Sequence, residues 1–249
     1  MNQPVVLITG ALTGIGRATA VTFARSGATV VVSGRHRDAG QSLAKELSEL
    51  GATAEFTQAD VRFDDQLAAL VDQLIEHFGR LDVAVNNAGT DGEFSPVAEL
   101  TADKYTRTFD TNVLGTLLSM KHELRVMQEQ ESGSIVNVSS IYGQKGFPNA
   151  SLYVASKHAI IGLTRSAALE AAPYGVRVNA VGPGPVQTAM LDRVTGNDTR
   201  AKAAFLATVP QQRAGEAEEI AEAIAYISSP KAGFLTGQTI FLDGGMTAA

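Results

Sequence analysis

The sequence predicts an α/β protein: a parallel sheet covered by helices on both faces, formed as one domain over residues 1–249. Two observations carry this. Short apolar, β-branched runs alternate with helix-length segments from end to end, the pattern of repeated βαβ units. Most of these runs are continuously apolar rather than alternating, as strands buried on both faces are. No linker, low-complexity tract or internal repeat interrupts the alternation.

In chain order, strands are expected at Val5–Thr9, Thr29–Ser33, Thr53–Gln58, Val83–Asn86, Ser134–Ser139, Arg177–Val181 and Thr239–Leu242. Helices are expected at Ile15–Ser26, Asp38–Leu50, Phe63–Phe78, Ala102–Gln130, Ser151–Ala172 and Glu216–Ile227. Segment 109–127 carries Leu114, Leu117, Leu118 and Leu124 around its circumference, and segment 151–172 is almost wholly apolar or small. A helix apolar on more than one face is buried on more than one face. The sheet covers one side. A second copy of the chain is expected to cover the other, making a homo-oligomer, unless flanking helices do so.

Hydrophobic residues make up 45% and charged ones 18% of 249 residues, enough for a sizeable core. A net charge of −6 argues against nucleic acid or an anionic membrane surface as a partner. No apolar run approaches the roughly 18 residues of a membrane span, and MNQPVVLITG lacks the pattern of a secretory signal. The absence of cysteine excludes disulfides, thiolate metal sites and a cysteine nucleophile, and fits a reducing cytoplasm. His36, His77, His122 and His158 are scattered without metal-ligand spacing, so they read as surface or packing residues and no metal is expected.

The first strand runs into TGALTGIGRATA, where Gly10, Gly14 and Gly16 punctuate a strand-to-helix turn around Thr13 and Ile15. Glycine there permits positive φ and close approach of backbone to a ligand. The helix that follows offers free N–H groups to a pyrophosphate. The spacing is G-x3-G-x-G, not the usual G-x-G-x-x-G. Three such glycines could mark only a tight turn; their place between the first strand and the first helix points to a dinucleotide. The end of the second strand selects which one. An acid there takes the ribose 2′-OH of NAD, whereas an arginine accommodates a 2′-phosphate. TVVVSGRHRD places Gly34 and Arg35 at that point, with Arg37 close by. A guanidinium–phosphate bond contributes about 1.5–3 kcal/mol, roughly a 10- to 150-fold preference. NADP(H) is therefore the expected cofactor. NAD(H) is the alternative, since Arg35 could also be solvated or stack on adenine.

YVASKHAI sets Tyr153 and Lys157 four positions apart, on one helical face and about 6 Å apart along the axis. A free phenol titrates near pH 10; a neighbouring ammonium is expected to lower that value and make the pair a proton donor and acceptor near neutrality. Chance pairs of this kind are common, so context decides. A buried strand ends in IVNVSS, and Ser140 lies where a parallel sheet gathers its catalytic groups. Its hydroxyl could donate to a carbonyl oxygen, with Ser139 as the rival; either could instead only shape a turn.

TGALTGIG, NNAG at Asn86–Gly89, Asn112, Ser140 and Tyr153-x-x-x-Lys157 together resemble the short-chain dehydrogenase/reductase family in its compact form. PGPVQT at Pro183–Thr188 and the terminal LTGQTIFLDGG extend the resemblance over essentially the whole chain. The resemblance implies a doubly wound, Rossmann-like sheet of seven strands and a homotetramer. It implies that Tyr153 is the acid/base, that Lys157 lowers its pKa and binds the nicotinamide ribose, and that Ser140 polarises a ketone. Asn112 would anchor a relay water; as a plain reading it is a polar residue within a helix. Asp60 and Val61 would touch adenine, and Asn87, Ala88 and Gly89 would lie along the cofactor. Pro183, Gly184, Val186 and Thr188 would embrace the carboxamide. One departure is Thr13, where NADP-preferring relatives often carry a basic residue.

Substrate is expected between the cofactor and three loops, Thr90–Ser95, Ile141–Ala150 and a lid at about 187–212. Gln144, Phe147, Met190 and Leu191 are pocket candidates, each as readily explained by lid packing. Asp91 and Glu93 at the rim disfavour a strongly anionic substrate, unless they only face solvent. The expected reaction is reversible hydride transfer between NADP(H) and a ketone/alcohol pair. Competing readings are nicotinamide-assisted epimerisation or dehydration, for which the chain has no room for the usual larger C-terminal domain, and a non-catalytic redox sensor, against which Tyr, Ser and Lys are all retained.

Overall fold

The computed structural model describes residues 3–248. Seven parallel strands lie in the order β3-β2-β1-β4-β5-β6-β7. They are β1 (Val5–Thr9), β2 (Thr29–Gly34), β3 (Ala54–Gln58), β4 (Val83–Asn86), β5 (Gly133–Val138), β6 (Val176–Pro183) and β7 (Thr239–Leu242). The chain builds outward from β1 to β3, then crosses back to add β4 on the other side of β1. That reversal opens a crevice between β1 and β4 at the carboxyl edge, the position where ligands enter such sheets. Thr9 pairs with Asn86, and Asn86 with Asn137, so one register row leads straight to that edge.

The continuous apolar runs fill both faces. Along β1, Val6 and Ile8 join a core with Phe23 and Ala24 of α1 (Gly14–Arg25), Leu47 of α2 (Arg37–Glu49) and Ile224 of α9 (Ala217–Ser228). Val5 and Leu7 point the other way, to Leu70 of α3 (Asp64–Phe78), Met127 of α5 (Gly115–Glu129) and Ala168 of α6 (Ser151–Ala171). Successive side chains alternate across a strand, so only a run with no polar gap serves both layers.

The helix expected over Ala102–Gln130 is present as one helical run over residues 102–129, widened in its middle by a π turn. It comprises α4 (Ala102–Phe109), the π turn over Asp110–Leu114, and α5. Thr111 and Thr116 direct their hydroxyls back to the carbonyls of Arg107 and Asn112 at 3.1 and 2.8 Å, bonds that bend helices. Gly115 lets Val61 come close: a Cβ there would lie 2.6 Å from Val61 Cγ2. Such π turns recur at functional sites, and this one presents Asn112.

Two short helices, α7 (Ala189–Val194) and α8 (Thr199–Leu206), follow β6. Leu114 and Leu117 at the start of α5 and Leu169 on α6 are exposed, so neighbouring helices do not cover these faces. The acidic stretch before α9 forms a capping box between Glu216 and Glu219. No helix among the described residues is long and apolar enough to cross a membrane.

Candidate active site

The turn from β1 into α1 depends on its glycines in two ways. Gly10 and Gly14 have φ of 62° and 53°, where a Cβ is strained. A Cβ on Gly10 would sit 2.6 Å from Ala88 Cα, and one on Gly16 2.4 Å from Asn87 Nδ2. The loop after β4 is pressed onto this turn, and Asn87 Nδ2 donates to Gly10 O at 2.8 Å. Gly10 and Gly16 thus make room for the protein's own chain, a demand not separable from ligand approach in the sequence. Thr13 makes no side-chain cap and the first turn of α1 holds no acid. The opening amides at Gly14, Ile15 and Gly16 are therefore left for an anion, with Thr188 facing Gly14.

Beyond this turn, Arg35 is exposed at the end of β2, where its carbonyl accepts from Gln58 Nε2 at 2.9 Å. Arg37 is held by Gln58 Oε1 at 3.2 Å. Asp60 follows β3 and is paired with Arg62 at 2.6 Å, which holds its carboxyl below the usual range. Val61 beside it is buried. An uncapped, acid-free helix end beside a glycine turn fits a dinucleotide.

Site residues from four elements converge at the carboxyl edge of β4 and β5. Lys157 on α6 is buried and donates to the carbonyl of Val138 at 2.9 Å. A Cβ on Gly89 would lie 3.6 Å from Lys157 Nζ and 3.3 Å from Asn112 Oδ1, so the loop after β4 runs directly over both. Asn112 accepts from Thr90 N at 2.8 Å and donates to Thr90 O at 2.9 Å and Ser156 Oγ at 3.0 Å. Its side-chain amide ties that loop to α6, and its main-chain carbonyl accepts from Thr116 Oγ1 at 2.8 Å. The two serines separate as well. Ser139 donates to the carbonyl of Lys157 at 3.0 Å, whereas Ser140 accepts from Tyr142 N at 3.2 Å and turns its hydroxyl toward the Tyr153 phenol.

The expected acidification of Tyr153 is corrected. Burial pushes its phenol up to about 12; Ser140 opposes this, and Asp91 and Tyr142 reinforce it. Lys157 Nζ lies 5.6 Å from the Tyr153 ring centroid but is bonded to Val138, and burial pushes its own pKa down to about 8. The cavity that brings the two groups together also desolvates both, which shifts each toward its neutral form while leaving Lys157 mainly an ammonium at pH 7.

In front of them lies a cleft of about 950 Å³ including its open mouth. Asn87, Gly89, Ser140, Tyr153 and Lys157 form its floor, and Pro183, Gly184, Val186 and Thr188 one wall. Its outer part is apolar. Tyr142 stacks obliquely on Phe147 at 4.9 Å, and Phe147 meets Phe205 of α8 edge-on at 6.5 Å. Arg193 on α7 reaches Asp91 at 3.2 Å across the mouth, while Glu93 pairs with Arg107 at 3.0 Å. Both rim acids are paired with arginines, which reduces the repulsion expected for an anionic substrate.

A family model described as enoyl-(acyl carrier protein) reductase matches residues 10–247. The chain belongs to the short-chain dehydrogenase/reductase family. It is 41% identical over 246 residues to cis-4-hydroxycyclohexanecarboxylate dehydrogenase of Sinomonas cyclohexanicum, covering 99% of this chain and 97% of the relative. Levodione reductase of Leifsonia aquatica is 38% identical (98% and 94% covered), and cyclohexanol dehydrogenase of an Acinetobacter species 37% (99% and 96%). Among solved structures, a levodione reductase superimposes with a TM-score of 0.96 at 36% identity, covering 99% of this chain and 98% of the other. ElxO with NADP bound gives 0.93 at 33% identity, with both chains covered completely. NAD⁺-bound xylitol dehydrogenase gives 0.94 at 33%, covering 98% and 99%. As a short-chain dehydrogenase/reductase, the protein is an oxidoreductase acting on carbonyl/alcohol substrates with NAD(P)(H).

Of the pocket residues expected for this dehydrogenase/reductase, Phe147, Met190 and Leu191 line the cleft. Gln144 does not: it ends the short turn Ile141–Gly143 and faces solvent, and Tyr142 takes the inward place. Tyr142, Phe94, Val194 and Phe205 were missed. The apolar face of AKAAFLATV was the one sequence signal for Phe205; the others sit in loops or at a helix end, without a period to read.

Proposed function

We propose that this short-chain dehydrogenase/reductase interconverts a neutral alicyclic ketone and its secondary alcohol, using NADP(H), with Tyr153 as general acid/base. The carrying observation is that Ser140, Tyr153 and Lys157 line one cleft at the carboxyl edge of the sheet, with Asn112 buried near Lys157 under Gly89. When bound, the nicotinamide supplies or accepts the hydride. Gly10, Thr13, Gly14, Ile15 and Gly16 hold the pyrophosphate on the end of α1, and Arg35 takes the 2′-phosphate. Asp60 and Val61 border the adenine, Asn87–Gly89 the ribose side, and Pro183, Gly184, Val186 and Thr188 the carboxamide.

Ser140 donates to the substrate oxygen and orients it. In reduction Tyr153 delivers the proton, a role suited to a phenol held neutral by burial. In oxidation it would first lose that proton to solvent, by way of Lys157 and a water anchored at Asn112. Lys157 also binds the ribose hydroxyls. The aromatic outer cleft and the cyclohexane-type substrates in the relatives' names support an apolar ring as substrate. NAD(H) is the second reading, since similar structures hold either dinucleotide.

The protein works as one domain, with α7 and α8 as its lid over 187–212. The exposed leucines of α5 and α6 support a homotetramer, and the cysteine-free composition a cytoplasmic setting. The test is turnover of a panel of cyclic and linear ketones and alcohols by wild type and Tyr153→Phe, followed by nicotinamide absorbance. Equal rates for both proteins would overturn the mechanism, and a preference for linear substrates the substrate class.

A further inference from the structure

The centre of the sheet holds a buried polar cluster that the proposed reaction does not use. Asn86 at the end of β4 is 4% exposed, and Glu123 on α5 is 1% exposed. Asn86 Nδ2 donates to Glu123 Oε2 at 2.9 Å and to Asn137 Oδ1 at 3.0 Å. Asn137 on β5 in turn donates to Thr164 Oγ1 on α6 at 2.9 Å. Both amide hydrogens of Asn86 are thereby used. Among the described residues five buried side-chain oxygens have no partner: the hydroxyls of Ser119, Ser134 and Thr239, and two that belong to these hydrogen-bonded groups, Asn86 Oδ1 and Glu123 Oε1. These last two are the second halves of two groups already joined through Nδ2 and Oε2. Both are acceptors while Glu123 is ionised, and two acceptors cannot satisfy each other. One added proton turns the carboxylate into a donor and satisfies both.

We infer that Glu123 is held as a neutral carboxylic acid whose Oε1 donates to Asn86 Oδ1, closing a two-bond ring, and that it is a positioning residue for the cofactor side of the cleft. Each member of the cluster lies on an element that carries a site residue. Asn86 leads into Asn87–Gly89, Asn137 lies three residues before Ser140, α5 follows directly on Asn112, and Thr164 shares α6 with Tyr153 and Lys157. Burial raises the Glu123 carboxyl to about 7, opposed only by the bond from Asn86. Charged groups on the packed elements turn elsewhere. Lys121 and His122 engage Asp64, and Arg125 engages Asp72. Asp110 faces Arg62, Lys157 donates to Val138, and Arg177 on β6 is bonded to carbonyls after α9. On α3, His77 pairs with Glu55 while Asp65 and Glu76 are exposed, as are His158, Arg165 and Glu170 on α6.

The test compares wild type with Glu123→Gln, whose amide can make both bonds of the ring at any pH. A carboxyl pKa raised on folding stabilises the native state fully below the unfolded value, and that contribution is lost as pH rises through the folded one. The Tm gap in favour of Gln is therefore expected to widen by roughly 5–10 °C from about pH 4.5 to about pH 7 and stay flat above. A protonated-carboxyl infrared band at pH 6 is expected in wild type and absent from the variant. A Tm gap independent of pH, a less stable Gln variant at pH 8, or no such band would overturn the neutral acid. For the positioning role, NADPH and NADH are titrated by fluorescence. Wild-type affinity is expected to fall several-fold between about pH 6 and about pH 8.5 relative to Glu123→Gln. Superimposable profiles would overturn that role.

Discussion

Lys157 Nζ and the carbonyl oxygen of Val138 are 2.9 Å apart, so the buried ammonium of α6 is anchored to the strand that delivers Ser140. That bond fixes the register between the helix bearing Tyr153 and the strand end bearing the serine. It satisfies one of three ammonium hydrogens and leaves two for partners in the cleft that Lys157 lines.

The ammonium stands in a place that costs folding energy. Lys157→Met is expected to abolish turnover yet raise the Tm of the ligand-free protein at pH 7 by a few degrees, about 1–3 kcal/mol. The folded-state pKa is depressed from 10.5 to about 8, so the unfolded chain binds the extra proton between those values. Wild-type stability from this group therefore rises with pH across that window, and the advantage of Met shrinks. Calorimetry at pH 7 and pH 9.5 checks this; a Met variant less stable at pH 7 contradicts it.

Loss of the Tyr153 hydroxyl is expected to lower kcat by roughly 10²–10⁴-fold while leaving dinucleotide affinity nearly unchanged. With the phenol pushed up to about 12 by burial, alcohol oxidation should accelerate with rising pH, and ketone reduction should stay level through neutrality. Initial rates in both directions from about pH 6 to about pH 10 decide it.

Arg35→Asp is expected to weaken NADP⁺ by about 10- to 150-fold and leave NAD⁺ equal or tighter. Thermal-shift titration with each dinucleotide reads this directly. Tighter NAD⁺ binding by wild type would assign Arg35 to adenine stacking or solvent.

The clasp between Arg193 and Asp91 is half exposed on the arginine side, and such pairs contribute about 0–1 kcal/mol. Arg193→Ala should raise KM for a bulky ketone by at most about fivefold, with Tm unchanged. A large fall in kcat would place Arg193 in the chemistry instead.

Far from the cleft, Arg177 on β6 donates to the carbonyls of Ile227, Ser228, Ser229 and Leu235 at 2.8–3.2 Å. Arg177→Ala leaves these around the end of α9 without their donor and should cost about 3 kcal/mol or more, a Tm drop of roughly 6–12 °C. Dinucleotide affinity of the folded variant should match wild type.

Inner strands were legible because a strand buried on both faces is apolar throughout, as Val5–Ile8 and Val83–Val85 are, whereas the half-buried edge strand β3 (AEFTQ) was legible only from its place in the alternation. Six helical segments were legible from their lengths between the strands. The π turn at Asp110–Leu114 was not: besides the local Thr111 and Thr116 bonds, it accompanies bonds from Asn112 to Thr90 and Ser156, 22 and 44 positions away. Ser140 and its rival Ser139 looked alike until each hydroxyl had a neighbour. Tyr153 and Lys157 were paired correctly by helical spacing, but the sign of the phenol's shift was misjudged, because spacing reveals proximity and not burial.

By itself, then, the sequence determined the layered α/β architecture, the glycine turn and the identity of the Tyr–Lys helix, all properties of local periodicity and short motifs. Tertiary structure alone decided which groups are desolvated, which serine faces the phenol, which rim acids are paired and where Glu123 meets Asn86. Those outcomes depend on desolvation and on partners distant in the chain, and neither quantity exists until the sheet and its helices close around them.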